Sequence, residues 1–81
     1  GGNLQKAIEI MEELCRQHFT VERYRLFLTK LYLRSNNWTG FKENLQILKG
    51  AQNPEIHFLE GQYFYATQQF VKAHQVFTEL K

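Results

Sequence analysis

The sequence has little of several features that would point to particular classes of protein. A single cysteine, Cys15, and a single serine, Ser35, occur among its 81 residues. One thiol cannot form an internal disulfide, so nothing requires an oxidising compartment, and we expect an intracellular, cytoplasmic protein. No apolar run approaches the ~20 residues that a membrane-spanning helix needs, so no membrane insertion is expected.

Charge of one sign and clustered ligand residues are lacking as well. Ten Lys and Arg residues are dispersed among eight acidic ones, giving a net charge of +2, which disfavours nucleic-acid binding. His18, His57 and His74 are isolated, and no residue set has metal-ligand spacing. No phosphate-binding glycine loop and no nucleophile motif is present. We therefore expect no metal, no cofactor and no enzymatic activity.

Apolar and aromatic residues are abundant, at 43% and 15%, as in a packed domain or a slice of a repeat array. Three stretches are similar to one another: NLQKAIEIMEEL, NWTGFKENLQIL and QFVKAHQVFTEL. Aligned on Ala7, Phe41 and Ala73, they lie 34 and 32 residues apart. This spacing indicates a solenoid of repeats, and the apolar residues in each stretch, Leu80 included, have helical spacing.

Capping signals divide the chain into five helices. Thr20 can cap the second helix, Asn36 and Asn37 suit the turn before the third, and Gly50 suits its end. Asn53, followed by proline, is the strongest start signal. The predicted helices span about 3–17, 20–35, 37–49, 54–67 and 69–80. Within the first, Glu12 and Arg16 have the spacing of an ordinary i, i+4 ion pair.

The last two helices carry a family pattern. Gly61 has the place of a small residue in a first helix, and Ala73 has that of the small crossing residue in a second helix. Phe64, Phe70 and Phe77 occupy the aromatic places around them. The pattern resembles the tetratricopeptide repeat (TPR), a hairpin of two antiparallel helices that repeats at about 34 residues.

The resemblance implies an all-α fold of antiparallel hairpins stacked as a right-handed superhelix. It covers residues 1–81 as a single TPR-like domain of about two and a half repeats: 1–18 is a lone second helix, and 20–50 and 54–81 are repeats. A lone second helix lacks its partner, so we expect a fragment of a longer array or a surface that another protein covers. The middle repeat departs from the family at the crossing, where bulky Phe41 replaces a small residue, and Arg25 lies where an aromatic is usual.

In a TPR superhelix the first helices line the concave face, so a ligand stripe is expected on the second and fourth helices. One stripe recurs there at matching spacing: Arg23, Leu26, Lys30 and Leu33, then Phe58, Gln62 and Tyr65. It is mainly apolar and contains no asparagine, which disfavours a clamp for acidic chaperone tails. We expect instead a protein-protein interaction module, an adaptor, scaffold or co-chaperone, that binds an amphipathic helix or an aliphatic-rich segment of a partner. Packing of the same residues inside the array is the competing interpretation.

Two alternatives remain open. In one, the chain is a structural segment that docks on another copy or on a neighbouring domain through Leu4, Ile8, Met11 and Cys15. In the other, it is a pentatricopeptide-like array whose interleaved aromatic and basic residues bind single-stranded RNA. A packed thiol explains Cys15 better than a nucleophile does, since no basic cluster accompanies it.

Overall fold

The structure, a computed structural model, describes residues 2–79, and this part of the chain is helical with no strand. Five α-helices and one 3-10 turn follow in order: α1 Gly2–Gln17, α2 Glu22–Arg34, α3 Trp38–Leu48, the 3-10 turn Lys49–Ala51, α4 Pro54–Ala66 and α5 Phe70–Glu79. The predicted all-α class and the five helices are confirmed. The end predicted for the fifth helix at residue 80 lies outside the described residues. Between residues 2 and 79, no helix has the length and apolar character that crossing a membrane requires.

The chain divides into two compact units, the first ending at Gly50 and the second beginning at Ala51. In the first unit, α2 packs against both α1 and α3. In the second unit, α4 packs against α5. A helix that is apolar over most of its circumference, as α2 is, requires contacts on more than one side, and α2 has a neighbouring helix on two sides.

The core of the first unit is built mainly from α2 and α3. Its most enclosed side chains are Phe41 and Thr29, both at 0% exposure. Thr29 hides its hydroxyl by donating to the carbonyl oxygen of Arg25, at 2.7 Å. The other buried apolar residues are Ile8, Cys15, Leu26, Leu28, Leu31, Tyr32, Leu45 and Leu48.

The helix starts show which capping signals operate. Asn37 Oδ1 accepts a hydrogen bond from the Gly40 amide at the start of α3, and Asn53 Oδ1 accepts one from Glu55 at the start of α4, both at 3.0 Å. The cap predicted at Asn53 is confirmed, and Asn37, predicted to lie in the turn before α3, provides the other. The cap predicted at Thr20 is wrong: α2 begins at Glu22, and its N-cap, Val21, makes no side-chain hydrogen bond.

The turn between α2 and α3 and the turn between α4 and α5 share one hydrogen-bond pattern. In each, three successive amides donate to carbonyl oxygens in the last turn of the preceding helix: Ser35 to Leu31, Asn36 to Leu33 and Asn37 to Tyr32, then Thr67 to Tyr63, Gln68 to Tyr65 and Gln69 to Phe64. The middle residues, Asn36 and Gln68, have φ of 59° and 64°. The two turns are therefore alike at a spacing of 32 residues.

Each unit contains one glycine that lies close to an aromatic ring. A Cβ atom added at Gly61 would lie 2.6 Å from Cε1 of Phe77, and one added at Gly40 would lie 2.8 Å from Cε2 of Tyr32. Gly61, which has the place of a small residue in the sequence pattern, thus lies against the ring of Phe77. The third internal glycine, Gly50, has nothing within 4 Å, and the left-handed residue that ends this segment is Gln52, not the glycine.

Candidate functional site

An apolar groove lies between α1 and α2 in the first unit. It has a volume of about 370 Å³ and is lined by Met11, Leu14, Arg23, Tyr24 and Phe27. Phe27 is 51% exposed, although it belongs to a helix that packs on two neighbours. Large apolar side chains left exposed beside one another are typical of interfaces.

Arg23 supplies the charge of the apolar groove. Its side chain is exposed, and the guanidinium carbon lies 5.7 Å from the centre of the Tyr24 ring. The ring of Tyr24 also contacts His18 edge-on, with centroids 5.9 Å apart. The groove is therefore an aromatic and aliphatic surface with one cation at its side, suited to an aliphatic segment that also carries a carboxylate.

The predicted ligand stripe is only partly available to a partner. On α2, Arg23 is exposed and Lys30 and Leu33 are half-buried. Leu26 is only 7% exposed, so its assignment to the ligand stripe is corrected: it is a core residue. A period of 3.6 identifies a helical face, but it cannot tell which face of an apolar helix meets its neighbours.

On α4, the stripe residues Phe58 and Tyr65 are 47% and 64% exposed, and Gln62 is half-buried. Both aromatic rings also contact α5, since Phe58 lies 5.8 Å from Phe77 and Tyr65 lies 5.3 Å from Phe70, centroid to centroid. These residues therefore combine packing inside the second unit with an open surface.

The predicted assembly face changes in the same way. Ile8 and Cys15 are each only 4% exposed, so the chain itself covers them and neither is available to a second copy. Leu4 and Met11 are half-buried. Met11 lines the apolar groove, so the accessible part of this predicted face belongs to the groove.

A second cavity, which we call the polar cavity, is lined by residues of α1, α2 and α3. Its volume is about 310 Å³, and it is lined by Glu12, Cys15, Arg16, Phe19, Arg25, Leu28, Tyr32 and Asn44. Arg25 and Asn44 are 9% and 5% exposed, and Nη1 of Arg25 donates to Oδ1 of Asn44 at 2.8 Å. The polar cavity thus contains a buried cation held by a neutral side chain.

Glu12 and Tyr32 form the other polar contact in this cavity. The Tyr32 hydroxyl donates to Oε2 of Glu12 at 2.5 Å, which joins α2 to α1. The predicted Glu12–Arg16 pair is wrong, because Arg16 bonds to the exposed carboxylate of Glu13 instead. Arg16 also holds the pKa of Glu13 below its ordinary value, by hydrogen bonding and by its charge.

The contact between Glu12 and Tyr32 should make the free energy of unfolding fall at alkaline pH. Burial, and then the hydrogen bond to Glu12 and its charge, raise the pKa of Tyr32 well above its ordinary value of 10.0. The unfolded chain therefore releases this proton first, and stability is lost as pH rises above 10. We expect Tyr32→Phe to cost about 1 kcal/mol at neutral pH and to remove up to about 1.4 kcal/mol per pH unit of the alkaline loss.

Urea unfolding between pH 9 and 11 measures this slope. Tyr65→Phe is the matched control, because Tyr65 is 64% exposed and should leave the slope unchanged. An equal alkaline slope in the parent protein and in Tyr32→Phe would show that the phenol is not held by Glu12.

The residues of the polar cavity give little support for a chemically reactive site. Burial raises the pKa of the Cys15 thiol, and Glu12 adds to this, whereas Arg25 acts in the opposite direction. A thiol kept protonated is a poor nucleophile, as expected for a packed cysteine. Within residues 2–79, no group of three His, Cys or acidic side chains is placed to hold a metal ion.

Most residues of these two cavities were not among the predicted site residues, and three of them show why. The apolar character of α2 over most of its circumference gave no indication that Phe27 would be exposed, since such a helix is expected to have contacts on more than one side. Arg25 was noted as a departure from the family pattern, at a position where an aromatic is usual. Asn44 gave no signal, since a polar residue in an amphipathic helix is ordinarily exposed.

Comparison of the chain with protein-family models, with curated proteins and with solved structures finds no match. The site is therefore interpreted from its own geometry.

Proposed function

We propose that this chain is a protein-binding module of TPR-like helical hairpins, and that the apolar groove binds an amphipathic helix or aliphatic-rich segment of a partner. One observation carries the proposal: Phe27 is half-exposed beside Met11 and Leu14 in a groove of about 370 Å³. A helix that inserts aliphatic side chains there would cover this surface.

The chemistry of the partner segment follows from Arg23. This exposed guanidinium lies beside Tyr24 at the groove, so a carboxylate on the bound segment would gain a charge-assisted hydrogen bond. The segment expected is thus one with aliphatic anchors at helical spacing and a glutamate or aspartate near them. The matching turns, 32 residues apart, support the TPR-like part of the proposal.

A display library of random peptides tests the proposal. The peptides should be about 15 residues long, which gives roughly four turns of helix. We expect the selected peptides to carry aliphatic residues at i and i+3 or i+4 together with an acidic residue. We also expect Phe27→Ala to weaken their binding by more than about 1 kcal/mol, or roughly fivefold, with helical content unchanged.

Matched variants locate the binding surface. Phe70→Ala is the control, because Phe70 is 54% exposed in the second unit and does not line the groove. Peptides that bind Phe27→Ala as tightly as the parent protein would contradict the proposal. If Phe58→Ala and Tyr65→Ala abolish binding while Phe27→Ala does not, binding uses the predicted stripe of α4 and not the apolar groove.

A further inference from the structure

Arg25 is a buried cation without an anionic partner. It is only 9% exposed, its Nη1 bonds to the neutral amide oxygen of Asn44, and its Nε has no hydrogen-bond acceptor. The ion pair between Arg16 and Glu13 leaves Arg25 out. A buried guanidinium is costly unless an anion or a full set of acceptors surrounds it.

Asn44 has an unmet hydrogen-bonding group of the same kind. Its side chain is 5% exposed, and its Nδ2 has no acceptor. Buried donors in folded proteins nearly always have a partner, and these two nitrogens belong to side chains already joined by a 2.8 Å hydrogen bond. Arg25 and Asn44 also both line the polar cavity, so an acceptor that reaches them would come from there.

We propose that the polar cavity binds a carboxylate group, held by Arg25 and Asn44. A carboxylate brings the negative charge that Arg25 lacks and has two acceptor oxygens for two donor side chains. The cavity, at about 310 Å³, is larger than the carboxylate alone, and Leu28 and Phe19 give it apolar lining for a short hydrocarbon part. This inference does not depend on the proposed function, because the polar cavity and the apolar groove share no residue.

Two further residues define access and selectivity. The ring of Phe19 covers the Arg25 guanidinium at 4.7 Å, and Phe19 is 62% exposed, so little packing opposes its movement when a ligand enters. Glu12 places a negative charge in the same cavity. A second anionic group on the ligand would be repelled there, so a monocarboxylate is preferred to a dicarboxylate.

Nuclear magnetic resonance of the full chain labelled with ¹⁵N tests this directly, because the Nε–H group of Arg25 and the side-chain amide of Asn44 each give their own signal. We expect sodium propionate to shift both signals in a saturable manner, and succinate to do so at least threefold more weakly. Propionamide and sodium chloride at equal concentration are the controls for shape and ionic strength. A second titration uses glutamate with an acetylated amino group and an amidated α-carboxyl group, which resembles an acidic side chain of a protein. It separates a free acid from such a side chain, and a shift by either carboxylate supports the site.

A variant that carries its own carboxylate gives an independent test. Asn44→Asp places an anion beside Arg25, so we expect it to raise the unfolding temperature by about 4 °C or more and to weaken propionate binding at least tenfold. Gln46→Glu adds the same charge at an exposed position of α3 and should do neither. The proposal is overturned if neither carboxylate shifts the two signals, which would assign the two donors to water, or if chloride shifts them equally.

Discussion

Replacement of Phe41 with alanine is expected to destabilise the protein by about 3–5 kcal/mol, because it deletes a whole ring from a site with 0% exposure. A chain of this length has a total stability of roughly 4–12 kcal/mol, so the loss is a large part of the whole. The resemblance to the TPR favours the opposite result, since it implies a small residue at this crossing. The structure decides between them: the helices are spaced for a phenylalanine, and alanine would leave a void.

Urea unfolding followed by circular dichroism and by Trp38 fluorescence measures this loss. Trp38, the only tryptophan, begins α3, the helix that carries Phe41. Ile47→Ala is the matched control, because Ile47 is in the same helix and is 49% exposed, so it should cost less than about 1 kcal/mol. A midpoint for Phe41→Ala close to that of Ile47→Ala would mean that the site collapses around the smaller side chain.

Replacement of Gly61 with leucine is expected to destabilise the second unit by about 3 kcal/mol, at the upper end of the cost of overpacking. Even the first added carbon would lie 2.6 Å from the ring of Phe77, and that ring is also in contact with Phe58. Either the ring retreats and loses this contact, or α4 and α5 have to separate.

The matched control for this prediction is Gly50→Ala. Gly50 has nothing within 4 Å and does not have a positive φ, so alanine should be neutral or stabilising by up to about 1 kcal/mol. Thermal unfolding followed by circular dichroism compares the two variants. A Gly61→Leu protein that melts with the parent would show that α4 and α5 do not approach closely at this glycine.

The helices could be predicted from the sequence because their limits depend on local chemistry. Asn37 and Asn53 cap helices through hydrogen bonds to amides two or three residues away, and such contacts need no knowledge of the rest of the fold. The cap predicted at Thr20 is absent because the turn before α2 continues for one more residue. In that turn the Val21 amide donates a hydrogen bond to the carbonyl oxygen of His18. Propensity identifies a residue that can cap, and the path of the chain decides whether it does.

The candidate site was less predictable because it depends on which side of each helix meets a neighbour. Leu26 and Phe27 are adjacent and similar in hydrophobicity, yet one is 7% exposed and the other 51%. Only the packing of α2 between α1 and α3 separates them. The hydrogen bond between Arg25 and Asn44 could not be predicted for the same reason, since it joins two helices whose residues are 19 positions apart in the sequence.

Because Cys15 is buried, the rate at which its thiol is labelled can measure how often the first unit opens. Its side chain is 4% exposed, and its thiol is the only one in the chain. A thiol reagent too large to enter the polar cavity can modify it only when the first unit opens, so its labelling rate measures these openings under native conditions. The second unit up to residue 79 has no cysteine, so thiol labelling does not report its openings. A single chemical label therefore reports the opening of the first unit and not that of the second.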